Sequence, residues 1–177
     1  MPLEIDFSTL TDAMGRYDPL DEILYYFDTQ TGDVLQIDAS TEQQARKLHS
    51  PDETDDPALR LAWHVLWYDG ESVGEALSEA EETAMYERVE AFLERYEPVP
   101  TADSEESYQD MVDFAATVSD PRLRGRLEGA LVGNGAFRRF REALDSDYEE
   151  CQRWFEFKDR QLRRRVDEWL QTFRRDP

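Results

Sequence analysis

Lysine is almost missing from this chain: of its 20 basic residues only Lys47 and Lys158 are lysine, and the others are arginine. Cysteine is scarcer still. Cys151 stands alone, which excludes an internal disulfide and any cysteine-based zinc site. The two histidines, His49 and His64, lie in no HxxxH, HExxH or HxE context, so no metal ligand set is expected from them. Long apolar stretches are also lacking. Runs such as Leu61–Tyr68 fall far short of the ~20 residues that span a bilayer. The opening Met1-Pro2-Leu3-Glu4-Ile5-Asp6 is acidic where a secretory leader would be basic. A cytoplasmic protein with no membrane segment is the expectation. There is no GxSxG, no GxxxxGK[ST] and no GxGxxG, and Asp52-Glu53-Thr54-Asp55-Asp56 lacks the glycine and closing glutamate of a calcium loop. No cofactor and no metal follow from such a sequence, and an enzyme of familiar type is not indicated.

Acid, by contrast, is abundant: 41 Asp and Glu in 177 residues give a formal net charge of −21. Surface carboxylates remain solvated in concentrated salt, where the Debye length shrinks to about 3 Å at 1 M and self-repulsion is screened. This reading is halophilic adaptation. A sharper alternative is that an acidic protein imitates nucleic acid and fills a partner's basic groove. Mimicry gives no reason to lose lysine, so the lysine scarcity favours the first; direct nucleic-acid binding is not expected under either. The charge is uneven. Residues 1–120 carry a net −24 and residues 121–177 a net +3, an asymmetry that arises when two parts of a chain face each other or when the less acidic part meets an anionic partner.

The patterning predicts one domain over 1–177, with a helix and hairpin in 1–48, an acidic helical segment in 49–100 and a helical bundle in 101–177. Asp6–Met14 reads as a short helix stopped by Gly15. Ile23–Phe27 and Val34–Ile37 flank a polar loop whose Gly32 supplies a left-handed residue, a β-hairpin signal. Asp56-Pro57 starts a helix, Ser78-Glu79-Ala80-Glu81 is a capping box for the next, and Pro98 ends that helix at the latest. Arg95–Val99 is the alternative, a third strand at a sheet edge where proline is tolerated. From Ser104 the chain is helical, punctuated by Asp120-Pro121 and Gly133, and its last helix carries a stripe of Cys151, Phe155, Leu162, Val166, Trp169 and Phe173 with Arg153, Arg160, Arg163, Arg164 and Arg174 opposite. The fold class is therefore α+β: a small antiparallel sheet of two or three strands beside a larger helical bundle.

One segment is distinctive, Gly133-Asn134-Gly135-Ala136-Phe137-Arg138-Arg139-Phe140-Arg141-Glu142-Ala143-Leu144. Phe137, Phe140 and Leu144 share a side of its helix, Arg138 and Arg141 are neighbours on the flank, and Gly133 and Gly135 let the backbone turn into a helix start with unpaired N–H groups. Such a start can hold phosphate or carboxylate. In the structural alternative Arg138 pairs with Glu142, Arg141 with Asp145, and the glycines only join two helices. On the first reading Gly133, Gly135, Arg138, Arg139 and Arg141 are candidate binding residues for a small anionic ligand or a protein partner. The protein is then a non-enzymatic binding or regulatory module; the other readings are an enzyme with a polar pocket near His64 or Arg138 and the acidic mimic.

Across this segment, together with Tyr26-Phe27-Asp28 and Thr31-Gly32, Met111 and Phe114, Trp154-x-x-Phe157 and Glu168-Trp169-Leu170, the sequence resembles the bacterial uncharacterised protein family 0158. The resemblance covers most of the chain, with a longer and more acidic stretch from His49 to Glu94. It implies a shared fold and no activity, because that family is itself of unknown function.

Overall fold

The computed structural model describes residues 5–16, 23–70 and 77–173, and the chain divides into two compact units: residues up to Ala13 with the segment ending at Pro100, and Met14–Tyr17 with Thr101–Pro177. Among the described residues there are eight α-helices and one three-stranded antiparallel sheet, an α+β protein as the patterning predicts.

The first unit opens with helix α1 (Phe7–Gly15), whose final residues group with the second unit. Asp6 starts it by accepting from the backbone N–H groups of Ser8 and Thr9 at 3.0 and 3.1 Å. Strand β1 (Leu24–Asp28) then pairs with β2 (Val34–Ile37), Tyr26 opposite Leu35 and Phe27 opposite Val34. Gly32 closes the loop at φ +86°, its N–H donating to Asp28 O at 2.8 Å. Helix α2 (Ala39–Ala45), which the sequence reading did not foresee, is capped by Asp38 through Thr41 N–H at 2.8 Å. The acidic loop after it contains one 3₁₀ turn, Pro51–Glu53. Helix α3 (Pro57–Tyr68) begins at the expected Asp56 cap, and α4 (Glu79–Leu93) at the expected capping box, where the Glu81 carboxylate accepts from Ser78 N–H at 2.9 Å.

At the end of α4 the strand alternative wins. The helix stops at Leu93, and β3 (Tyr96–Pro98) joins the far side of β1, giving the order β2-β1-β3 with the proline on an edge. Two long-range contacts hold it there: Arg95 donates to both oxygens of Asp28 at 2.8 and 2.6 Å, and Thr29 N–H donates to Arg95 O at 2.9 Å. Burial opposes ionisation of Asp28, yet Arg95 and the N–H groups of Gln30 and Thr31 together hold its carboxyl below the usual range. The sheet and α3 enclose a core of Ile37, Ala45, Leu61, Ala62, Trp63 and Tyr96. Its central tryptophan satisfies its indole N–H on Leu48 O at 3.3 Å.

The second unit is a helical bundle. Helix α5 (Ser104–Thr117) is capped by Asp103, α6 (Pro121–Ala130) by Asp120, α7 (Ala136–Leu144) follows a tight glycine turn, and α8 (Tyr148–Phe173) runs for 26 residues. Phe114, Phe140, Leu127 and Val118 are almost fully inaccessible. Trp154 and Phe157 of α8 pack on them, with Trp154 edge-on to Phe114 and Phe140 at 5.2 and 5.1 Å between centroids. Part of the expected α8 stripe is therefore corrected. Leu162 and Val166 are buried as expected, and Leu170 with them; Phe155 is 57 % exposed and Trp169 only half-buried, edge-on to Phe173. Arg153 does not point away either: it pairs with Glu150 at 2.6 Å and lies over the Phe114 ring. Arg174 lies outside the described residues. One cross-helix tie lies outside the stripe, Arg165 of α8 gripping Asp110 of α5 through both carboxylate oxygens at 2.8 and 2.9 Å. Gly15 also belongs here: a Cβ on it would lie 2.8 Å from Leu162 Cδ1, so its lack of a side chain serves close approach.

Candidate functional site

Successive residues of an α-helix point about 100° apart, so three arginines near one another in sequence need not share a surface. In α7 they do not. Ala136, Phe140, Ala143 and Leu144 form its buried face. On one flank Arg139 crosses back to the end of α6 and donates to the carbonyls of Ala130, Val132 and Gly133 at 3.2, 2.6 and 3.2 Å. Those carbonyls end a helix and have no intrahelical partner, so the guanidinium serves as a C-cap. Arg138 points to solvent, 79 % exposed, at 4.0 Å from Glu142. Arg141 lies on the opposite flank from Arg139, one turn beyond Phe137, and both line a cavity.

The glycines have their own role. Gly133 and Gly135 adopt φ +81° and +78°, with open space where a Cβ would stand. They produce the turn between α6 and α7, and Arg139 locks it. Neither glycine, nor Arg138 or Arg139, lines the cavity; of the five candidates only Arg141 does.

The cavity has a volume of about 770 Å³ and lies wholly within the second unit, between α5, α7 and α8, with Gly15 at its margin. Its apolar lining comes from Met111, Phe137, Phe140, Leu144, Trp154 and Phe155, and its hydroxyls from Ser104 and Ser107. From α8 the residues Cys151, Trp154, Phe155 and Lys158 face it at i, i+3, i+4 and i+7. This spacing explains the misread stripe: Cys151 and Phe155 do lie on one face of α8, but that face is the wall of a hollow. Four charged groups touch the cavity, Asp110, Arg141, Asp145 and Lys158. Asp110 is consumed by Arg165. The side chains of Arg141 and Lys158 have neither a hydrogen bond nor an ion pair among the described residues; Arg141 meets Asp145 only through the backbone, its carbonyl accepting from Asp145 N–H at 3.0 Å, so the expected Arg141–Asp145 ion pair does not form. A half-buried lysine and an exposed arginine thus share an aromatic-lined hollow, and neither side chain is paired with the Asp145 carboxylate that also touches it.

Lys158 and the aromatic floor were beyond the sequence reading, although α8 offered a signal in one of only two lysines placed a turn from an aromatic. The other candidates have structural surroundings. His64 is buried in the first unit, its Nδ1 2.7 Å from Arg60 O and its ring stacked on Phe92 at 3.8 Å between centroids. Burial, with the charges of Arg60 and Arg88, pulls its pKa below the ordinary histidine value against the backbone bond and the attraction of Asp52. His49 is exposed. Among the described residues no three His, Cys, Asp or Glu side chains converge as a metal site requires, and no helix is long and apolar enough to cross a membrane.

Comparison with known protein families gives a match over most of the chain. The model of the Uncharacterised protein family (UPF0158) matches residues 49–176, which takes in α3 to α8 and every residue of the cavity except Gly15, and leaves the β1–β2 hairpin outside. No curated protein and no solved structure matches the chain.

Proposed function

This chain belongs to the uncharacterised protein family UPF0158, and we propose that within it the second unit is a non-enzymatic binding module that captures an anionic group in the cavity between α5, α7 and α8. One observation carries the reading: the side chains of Arg141 and Lys158 both line that cavity, beside its aromatic residues, with no hydrogen-bond or ion-pair partner among the described residues. A pocket of several hundred Å³ with apolar walls and a few convergent polar groups is the usual form of a ligand site, and arginine's planar fork suits carboxylate and phosphate. Gly133, Gly135 and Arg139 enter as the frame that sets the angle of α7 and so places Arg141. Calorimetric titration with benzoate tests the reading. The parent should bind it, and Arg141→Gln should bind roughly tenfold or more weakly, the loss expected for one charge-assisted bond, at an unchanged melting temperature. Equal binding by parent and variant would overturn the site.

We further infer that the acidity is an adaptation to salt and that the protein works in the cytoplasm. The charge of −21 and the near absence of lysine support the first, and the single cysteine supports the second.

A further inference from the structure

The charges around the cavity also limit what it can hold, a step that rests on the binding reading above. Asp110 lines it but is neutralised by the two bonds from Arg165. That leaves Arg141 and Lys158 against the exposed carboxylate of Asp145, one positive charge in excess. Residues 101–177, which supply all of the lining but Gly15, carry 17 Asp and Glu against 14 Lys and Arg, so no wider basic field reinforces that single charge, and several negative charges on one ligand would be left without counter-charges. The walls supply the other half of the specificity. Phe137 and Phe155 remain 49 % and 57 % exposed at the cavity while Trp154 and Phe140 line it from the core side. Large apolar side chains left open beside unpaired cations match a ligand with one charged end and an apolar body.

We propose that the cavity takes a small singly charged amphiphile, a monocarboxylate whose head meets Arg141 and Lys158 and whose hydrocarbon body lies over Phe137, Trp154 and Phe155. Cys151 makes the test direct. It is the chain's sole cysteine and forms part of the cavity wall, so alkylation by a maleimide, read by intact mass, reports occupancy of the cavity in the full-length protein. Decanoate should slow the alkylation at far lower concentration than acetate, inorganic phosphate or 1-decanol. Phe155→Ala, a change at an exposed position, should weaken decanoate while leaving acetate unchanged. In Arg141→Gln/Lys158→Gln the advantage of decanoate over 1-decanol should fall by about ten- to a hundredfold, and Asp145→Asn should tighten decanoate. If acetate or phosphate protects as well as decanoate, the amphiphile proposal is overturned and the anion site survives. If 1-decanol protects as well as decanoate in the parent, or no anion protects at all, the anion site falls with it.

Discussion

At the scale of single residues, this chain repeatedly gives one residue type different work according to its partners. Arg139 satisfies carbonyls, Arg138 is solvated, Arg165 neutralises a buried acid and Arg141 stays uncommitted. His64 shows how burial fixes chemical state. Its ring is packed between Trp63 and Phe92, and protonation there would set a charge in an apolar site close to Arg60 and Arg88. A histidine whose folded pKa is depressed contributes stability that is present above its unfolded pKa and is lost as pH falls. The first unit should therefore lose stability progressively below pH 6.5, histidine's ordinary value. Urea unfolding of the parent and of His64→Phe, compared from pH 8 downward, checks this: the difference between them should drift in favour of the variant below about 6.5. A difference independent of pH would show that folding leaves the proton affinity of His64 unchanged, and a drift in the opposite sense that the ring is charged in place.

At the scale of elements, most helix starts were readable because a cap is a local device. Asp56-Pro57, Ser78 with Glu81, and Asp120-Pro121 each set their boundary within four residues of chain. What stayed open, such as the third strand, or escaped depends on partners remote in sequence. β3 exists because Asp28 and Arg95 meet across 67 positions, and Phe155 looked like core because periodicity reports which residues share a face, not whether that face meets protein or a hollow. The candidate site was legible in the same measure: Arg141 was found from its own segment, whereas Lys158 and Trp154 were not, since only the packing of α7 on α8 brings them near it. Arg139 tests the account of the glycine turn. Arg139→Ala should cost about 2 kcal/mol by releasing three carbonyls at the end of α6, and Arg138→Ala should change stability by less than about 0.5 kcal/mol. Thermal unfolding of the two variants decides it; equal effects would mean that the α6–α7 junction holds without its cap.

At the scale of the whole molecule, the dominant quantity is charge. If the acidity is a salt adaptation, unfolding temperature should climb steadily in KCl between about 0.1 M and about 2 M as repulsion is screened; a flat or falling series overturns that reading. The position of β3 has a consequence of another kind, in time. Ribosomes deliver β1 and β2 well before residues 96–98, and two strands alone are marginal in water. Until Arg95 emerges, Asp28 has no cation to meet and the central strand keeps one open edge. The nascent first unit thus passes through a stage, about seventy residues long, in which its sheet is unfinished and its acidic segment is still being made. The abundance of negative charge in that stretch opposes contact between such emerging chains at the short range that even concentrated salt leaves unscreened, so the composition acts before the fold does.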